Sequence, residues 1–140
     1  MTLSSRELDI SKLALCLKAL EECYSEYTKN NDSRMKEFLE DACVKRFEFS
    51  LEISWKTMKR FLKLEYSKND TELTMNNIFR FMEHYGFVKS WTRWRTYYTE
   101  RNNTAHEYDQ KKARSLLAHT QDLISDMEYL YDKLSKVITD

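Results

Sequence analysis

The sequence predicts an all-α protein, an antiparallel up-and-down bundle of four to five helices, and three observations carry that prediction. The 140-residue chain has no proline and one glycine, Gly86, so almost nothing in it breaks a helix. Its apolar residues recur at steps of three and four, the period of one helix face. With 41% hydrophobic and 14% aromatic residues against 33% charged, it can bury one core, and 1–140 reads as a single domain without linker or internal repeat.

Leu13, Leu17, Leu20, Tyr24 and Tyr27 place a first helix over about Ser11 to Lys29. The cluster Asn30-Asn31-Asp32-Ser33 ends it and offers an N-cap to the next. Val44, Phe47, Leu51, Trp55, Met58 and Leu62 then form a second stripe, giving one long helix from about Arg34 to Tyr66, or two joined near Asp41. On this reading Trp55 is core, while Lys45, Glu48, Glu52, Lys56 and Lys59 face water. Ser67 to Thr74 is turn-like, and Met75, Ile78, Phe79, Met82 and Tyr85 make a short third helix closed by Gly86. A fourth runs from about Ser90 through Trp94, Tyr97 and Tyr98, with room for a bend further on. Ala113, Leu116, Thr120, Leu123, Met127, Leu130, Leu134 and Ile138 trace a last long helix.

Lys and Arg together number 23, as do Asp and Glu, which argues against holding nucleic acid by bulk charge; any RNA contact must be local. Cys16, Cys23 and Cys43 are odd in number, fall at apolar positions and lack metal-ligand spacing, so they read as reduced core residues of a cytoplasmic protein. Met1 to Ser11 is polar, and no apolar run approaches the roughly 20 residues that span a bilayer. His84 and His119 stand apart from other ligand types, and no glycine-rich phosphate loop exists. Neither a metal nor a cofactor is expected, and any ATP-dependent step must come from another polypeptide.

The chemistry concentrates in Arg101-Asn102-Asn103-Thr104-Ala105-His106-Glu107-Tyr108-Asp109. Tyr97, Arg101, Thr104 and Tyr108 follow one helical stripe, while Asn102, His106 and Asp109 follow another. Five residues advance a helix by about 500°, so Arg101 and His106 point roughly 140° apart on a straight helix. Convergence needs a kink or a second copy of the motif. Such a set suits RNA phosphodiester cleavage by the neighbouring 2′-hydroxyl: an imidazole exchanges protons near neutrality, and a permanent cation stabilises the developing negative charge. Arg101 and His106 are the candidate catalytic pair. Asn102 is placed to orient His106, and Tyr108 adds a hydroxyl for phosphate binding or modification. Arg95 and Tyr97, with Arg93, are candidates to line an RNA or nucleotide cleft, whereas Trp94 and Tyr98 read as core. Lys111, Lys112 and Arg114 form either a phosphate-contacting rim or a solvated first turn. The plain alternative for the motif is that Arg101 pairs with Glu100, Glu107 or Asp109 and that His106 is an ordinary surface histidine.

The pattern R-N-x-x-x-H-x-Y resembles that of the HEPN nucleotide-binding and ribonuclease domains, most closely the nucleotidyltransferase substrate-binding branch. The segment from Arg46 to Leu62 resembles that branch's second-helix signature, R-F-E-[FY]-x-x-E-x-x-W-K, with Leu51 and Glu52 in swapped order. Gly86-Phe87-Val88 is similar to its G-L-I turn, and Trp94 with Arg101-Asn102 to its W-x6-R-N. The resemblance implies a homodimer with the two motif helices facing across a shared cleft, and a separate minimal nucleotidyltransferase as partner. It also implies one of two activities. Either the chain is a metal-independent endoribonuclease toxin using Arg101 and His106, silenced by AMP transfer to Tyr108, or it is a noncatalytic subunit presenting a nucleotide or other substrate to the partner.

Overall fold

The computed structural model describes residues 3–139, and among these six helices occur. They are α1 (Ser11–Lys29), α2 (Ser33–Tyr66), α3 (Met75–His84), α4 (Trp91–His106), α5 (Gln110–Leu117) and α6 (Thr120–Ser135). The all-α bundle expected from the sequence is the fold. The long second segment is one unbroken helix of 34 residues, about 51 Å at 1.5 Å per residue. It serves as the strut of the molecule, packing against α1, α3 and α5.

Local chemistry sets each boundary. The Asp32 carboxylate accepts from the amides of Arg34 and Met35 at 3.0 and 3.1 Å and starts α2. Thr74, Ser90 and Asp109 cap α3, α4 and α5 through side-chain oxygens. Gly86, at φ +85°, stops α3 as expected: the Phe87 amide donates back to the Met82 carbonyl at 2.8 Å.

Two features depart from the sequence expectation. The last apolar stripe belongs to two helices, because the His119 amide donates to the carbonyl three residues back, Leu116, at 3.0 Å. This tightened turn redirects the chain, so that α5 packs on α2 and α4 while α6 packs on α1. No glycine or proline announces it; His119 is held there by tertiary contacts, its ring edge-on to Tyr97 with centroids 6.3 Å apart. The polar N-terminal segment also supplies core residues, with Leu3 and Leu8 buried. Leu3 pairs with the C-terminal segment, its amide donating to the Val137 carbonyl and its carbonyl accepting from the Thr139 amide, both at 2.8 Å.

The core includes Leu13, Leu20, Phe47, Met58, Phe61, Phe79, Trp94, Leu116, Met127 and Leu130. Cys16 and Cys43 are buried in it, and Cys23 is partly buried with its sulfur 2.8 Å from that of Cys43. Trp55 is only partly buried, so the second stripe turns outward there.

A charged cluster lies inside. Asp126 of α6 is 6% exposed and accepts from the Tyr97 hydroxyl and from Arg93 Nε, the latter at 2.9 Å. The Tyr97 ring stands edge-on to both Trp94 and Phe47. Burial, then the hydrogen bond and charge of Asp126, push the Tyr97 phenol well above the usual tyrosine range.

Tyr97→Phe keeps the packed ring but removes a donor from a buried carboxylate, so chemical denaturation should show a loss of about 1–3 kcal/mol. Stability should also fall as pH rises past about 10, where the unfolded chain loses phenolic protons that the folded chain keeps. That alkaline slope should be shallower in Tyr97→Phe.

Candidate functional site

The motif occupies the C-terminal end of α4 and the segment that follows. The helix continues without a break from Trp91 through His106, and the chain turns extended only at Glu107, φ −151° and ψ 107°. Any bend therefore comes after the histidine. Arg101 and His106 keep their divergence of about 140°, and one chain does not bring them onto a common small group.

Arg101 is partly buried and its guanidinium donates to Asn102 Oδ1 at 3.2 Å. Asn102 thus orients Arg101 in place of the expected His106. Among the described residues Arg101 forms no ion pair, and the three carboxylates that the plain alternative would give it are engaged elsewhere. Glu100 accepts from Ser115 at 3.1 Å and lies 3.7 Å from His119 Nε2. Glu107 pairs with Lys112 at 3.1 Å, and Asp109 accepts the Lys112 amide at 2.8 Å to start α5. His106 is exposed and has no hydrogen bond or ion pair among the described residues. A cation and an imidazole are thereby left available to a ligand.

The other candidates divide. Thr104 is buried; its hydroxyl lies 3.0 Å from the Arg101 carbonyl and 3.3 Å from Glu48 Oε2, a structural tie between α4 and α2. Arg95 is exposed, with its guanidinium 5.9 Å from the Trp91 ring, on the same α4 face as Asn102 and His106. Tyr97 is 1% exposed and belongs to the core, correcting its assignment to a cleft, because its hydroxyl is consumed by Asp126. Arg93 is drawn into the same cluster. The basic run after the motif is no free rim either: Lys112 pairs with Glu107 and Arg114 with Glu40, leaving Lys111 exposed.

Tyr108 is 49% exposed, and its hydroxyl donates to the Asp41 carboxylate of α2. Desolvation first, then that hydrogen bond and the charges of Asp41, Glu40 and Glu48, raise the phenol above its ordinary value. Sequence reasoning missed this acidic side of the site. Glu37, Asp41, Glu48 and Glu52 fall at steps of four, seven and four on α2, one stripe whose first three acids bond residues of the motif or the residue just after it. Gln110 bonds Glu37 at 3.0 Å, Tyr108 bonds Asp41 and Thr104 bonds Glu48, so the segment from Thr104 to Gln110 runs antiparallel to α2 along the stripe. Beside it opens a cleft of about 550 Å³ whose walls include Tyr27, Arg34, Glu40 and Arg114.

Residues 8–136 match the profile of the family described as nucleotidyltransferase substrate binding protein like. The chain belongs to that family. It is 27% identical over 135 residues to a Haemophilus influenzae protein named probable ribonuclease HepT, covering 91% of this chain and 92% of that one. A solved H. influenzae structure, described as revealing the fold of a substrate-binding domain of a nucleotidyltransferase, superposes with a TM-score of 0.82 at 26% identity. That match covers 91% of this chain and 99% of the other. A Thermus thermophilus crystal structure shares the fold at a TM-score of 0.73, with 20% identity and coverage of 87% and 98%. Among the described residues no helix is long and apolar enough to cross a membrane, and no group of three or more His, Cys, Asp or Glu side chains could hold a metal.

The Asp41 contact has a spectroscopic consequence. In alkaline absorbance titrations, the wild type minus Tyr108→Phe difference should show Tyr108 ionising above the ordinary tyrosine value of about 10. Asp41→Asn removes the facing charge while leaving the phenol partly desolvated, so the same difference measured in that background should move part of the way back down.

Proposed function

We propose that this protein is a metal-independent endoribonuclease, the toxin of a toxin-antitoxin pair, acting as a homodimer and silenced by a partner minimal nucleotidyltransferase that transfers AMP to Tyr108. The observation that carries the reading is the availability of Arg101 and His106 while Glu100, Glu107 and Asp109 are engaged elsewhere. The family membership and the relative named as a probable ribonuclease support it.

The chemistry is economical. A 2′-hydroxyl of RNA attacks the adjacent phosphorus and the 5′-oxygen leaves; His106 exchanges the proton with one of these oxygens, and Arg101 stabilises the charge that accumulates on the nonbridging oxygens. Because α4 is straight through His106, the pair that acts on one phosphate is best drawn from two subunits. Phe38 and Phe49, eleven residues apart on the same α2 face, are 62% and 55% exposed and supply apolar surface for such a dimer. AMP on Tyr108 would set a phosphate close to the RNA-binding face, compete for its cations and block the site. The second reading, a noncatalytic subunit presenting a substrate to a nucleotidyltransferase, draws on the family description and on the H. influenzae neighbour.

Purified, unmodified protein should cleave single-stranded RNA in the presence of a chelator, and Arg101→Ala and His106→Ala should each lose at least about a hundredfold in rate. Mixing the two inactive variants after subunit exchange should restore about a quarter of wild-type activity, since half the dimers are mixed and each holds one intact composite site. No recovery would place both groups in one chain. Intact RNA with folded, unmodified wild type would leave the substrate-binding reading.

A further inference from the structure

The geometry points to Asp41 as the base that accepts the phenolic proton when Tyr108 takes up a nucleotide, an inference that rests on reading Tyr108 as the modified residue. Asp41 comes from α2, 67 residues before its partner, and among the described residues its carboxylate has one hydrogen bond, from the Tyr108 hydroxyl. The other acids of α2 nearby are occupied. Glu37 accepts from Gln110 at 3.0 Å, and Glu40, 4% exposed, is shared by Tyr27 and Arg114 at 3.3 Å each. Glu48 faces Thr104.

The segment carrying Tyr108 is held on both sides. Glu107 is paired with Lys112, Asp109 caps α5, and both residues are extended, so the phenol projects from a short bridge between two helices. Half of Tyr108 remains open to solvent, which leaves the side chain within reach of a second protein.

A neutral phenol is a weak nucleophile, and this one is made harder to ionise by its surroundings. A base in contact removes that obstacle by taking the proton as the new bond forms. In the step, the Tyr108 oxygen bonds to the α-phosphorus of a nucleoside triphosphate carried by the partner enzyme. The bond from that phosphorus to the bridging oxygen breaks, and pyrophosphate departs with the electron pair. The proton passes to Asp41 and then to water. Nothing is oxidised or reduced.

The experiment compares initial rates of nucleotide addition to the full-length wild type, Asp41→Asn and Asp41→Glu by intact mass, with ATP, magnesium and a minimal nucleotidyltransferase from pH 6 to 9. Wild type should exceed Asp41→Asn about a hundredfold at pH 7. Without an internal base the Asn variant must draw on hydroxide, so the ratio should shrink by about tenfold per pH unit. Asp41→Glu, which keeps a carboxylate, should recover part of the rate. The charged groups around the pair are Glu37, Glu40 and Glu48 on α2, His106 ending α4, Glu107 in the bridge, and Lys112 and Arg114 on α5; Tyr27 approaches from α1. These groups are common to both proteins, so their influence largely cancels in the ratio.

Asp41 is exposed and Asn nearly isosteric, so equal melting curves are expected and separate chemistry from folding. Equal rates for wild type and Asp41→Asn, or a deficit that does not vary with pH, would overturn the assignment of Asp41 while leaving Tyr108 as the acceptor. Absence of any added nucleotide on wild type, or its persistence in Tyr108→Phe, would overturn the reading of Tyr108 and this inference with it.

Discussion

The placement of the motif depends on one buried carboxylate. Outside Trp94, Tyr97 and Thr104, helix α4 buries little and has no broad apolar face to hold it in register. Beyond its packing on α3 and α5, its register is fixed by Asp126, which accepts from Tyr97 and Arg93 together. A carboxylate taken out of water is tolerable only when so partnered, and a slip of α4 by one residue would forfeit both donors at once. Arg101 lies one turn beyond this anchor and His106 at the end of the same rigid helix, so their directions are inherited from a contact in which neither takes part.

The second determinant is the sorting of charge along α2. Its acidic stripe meets the motif segment through Thr104, Tyr108 and Gln110. Polar pairs of this kind contribute little stability but specify which residues meet. They also make that edge unfavourable for a polyanion. On the ribonuclease reading proposed above, attraction for RNA phosphates must come from Arg101 and from the exposed face bearing Arg95, Asn102 and His106, consistent with a chain whose overall charges balance.

How much could be read from the sequence follows from how local each determinant is. Helix limits at Asp32, Thr74, Gly86 and Ser90 were legible because capping is decided within four residues. The turn at His119 was not, since Leu117 and Ala118 just before it favour helix and the redirection comes from contact with Tyr97 and Glu100. Tyr97 was misassigned for a related reason: its partner is 29 residues away on another helix, and periodicity says which face a phenol takes but not what its oxygen finds. Trp55 fits the apolar rhythm of α2 yet is only partly buried. The tie of Asp41 to Tyr108 spans 67 residues, although the regular spacing of acids on α2 was a signal available in the sequence and was read as a solvated face.

The same anchor bears on the order in which the molecule is made. Helices α1 to α5 pack chiefly on their neighbours in the chain, contacts of short range that form quickly, and no prolyl isomerisation can delay them. The anchor of α4 is an exception, because Asp126 belongs to α6, which is synthesised after α4. A nascent chain already holding Arg101 and His106 lacks the carboxylate that sets their helix, and α1 lacks the partner that covers its flank. The helix that bears Arg101 and His106 is thus set only once α6 has been made and docked.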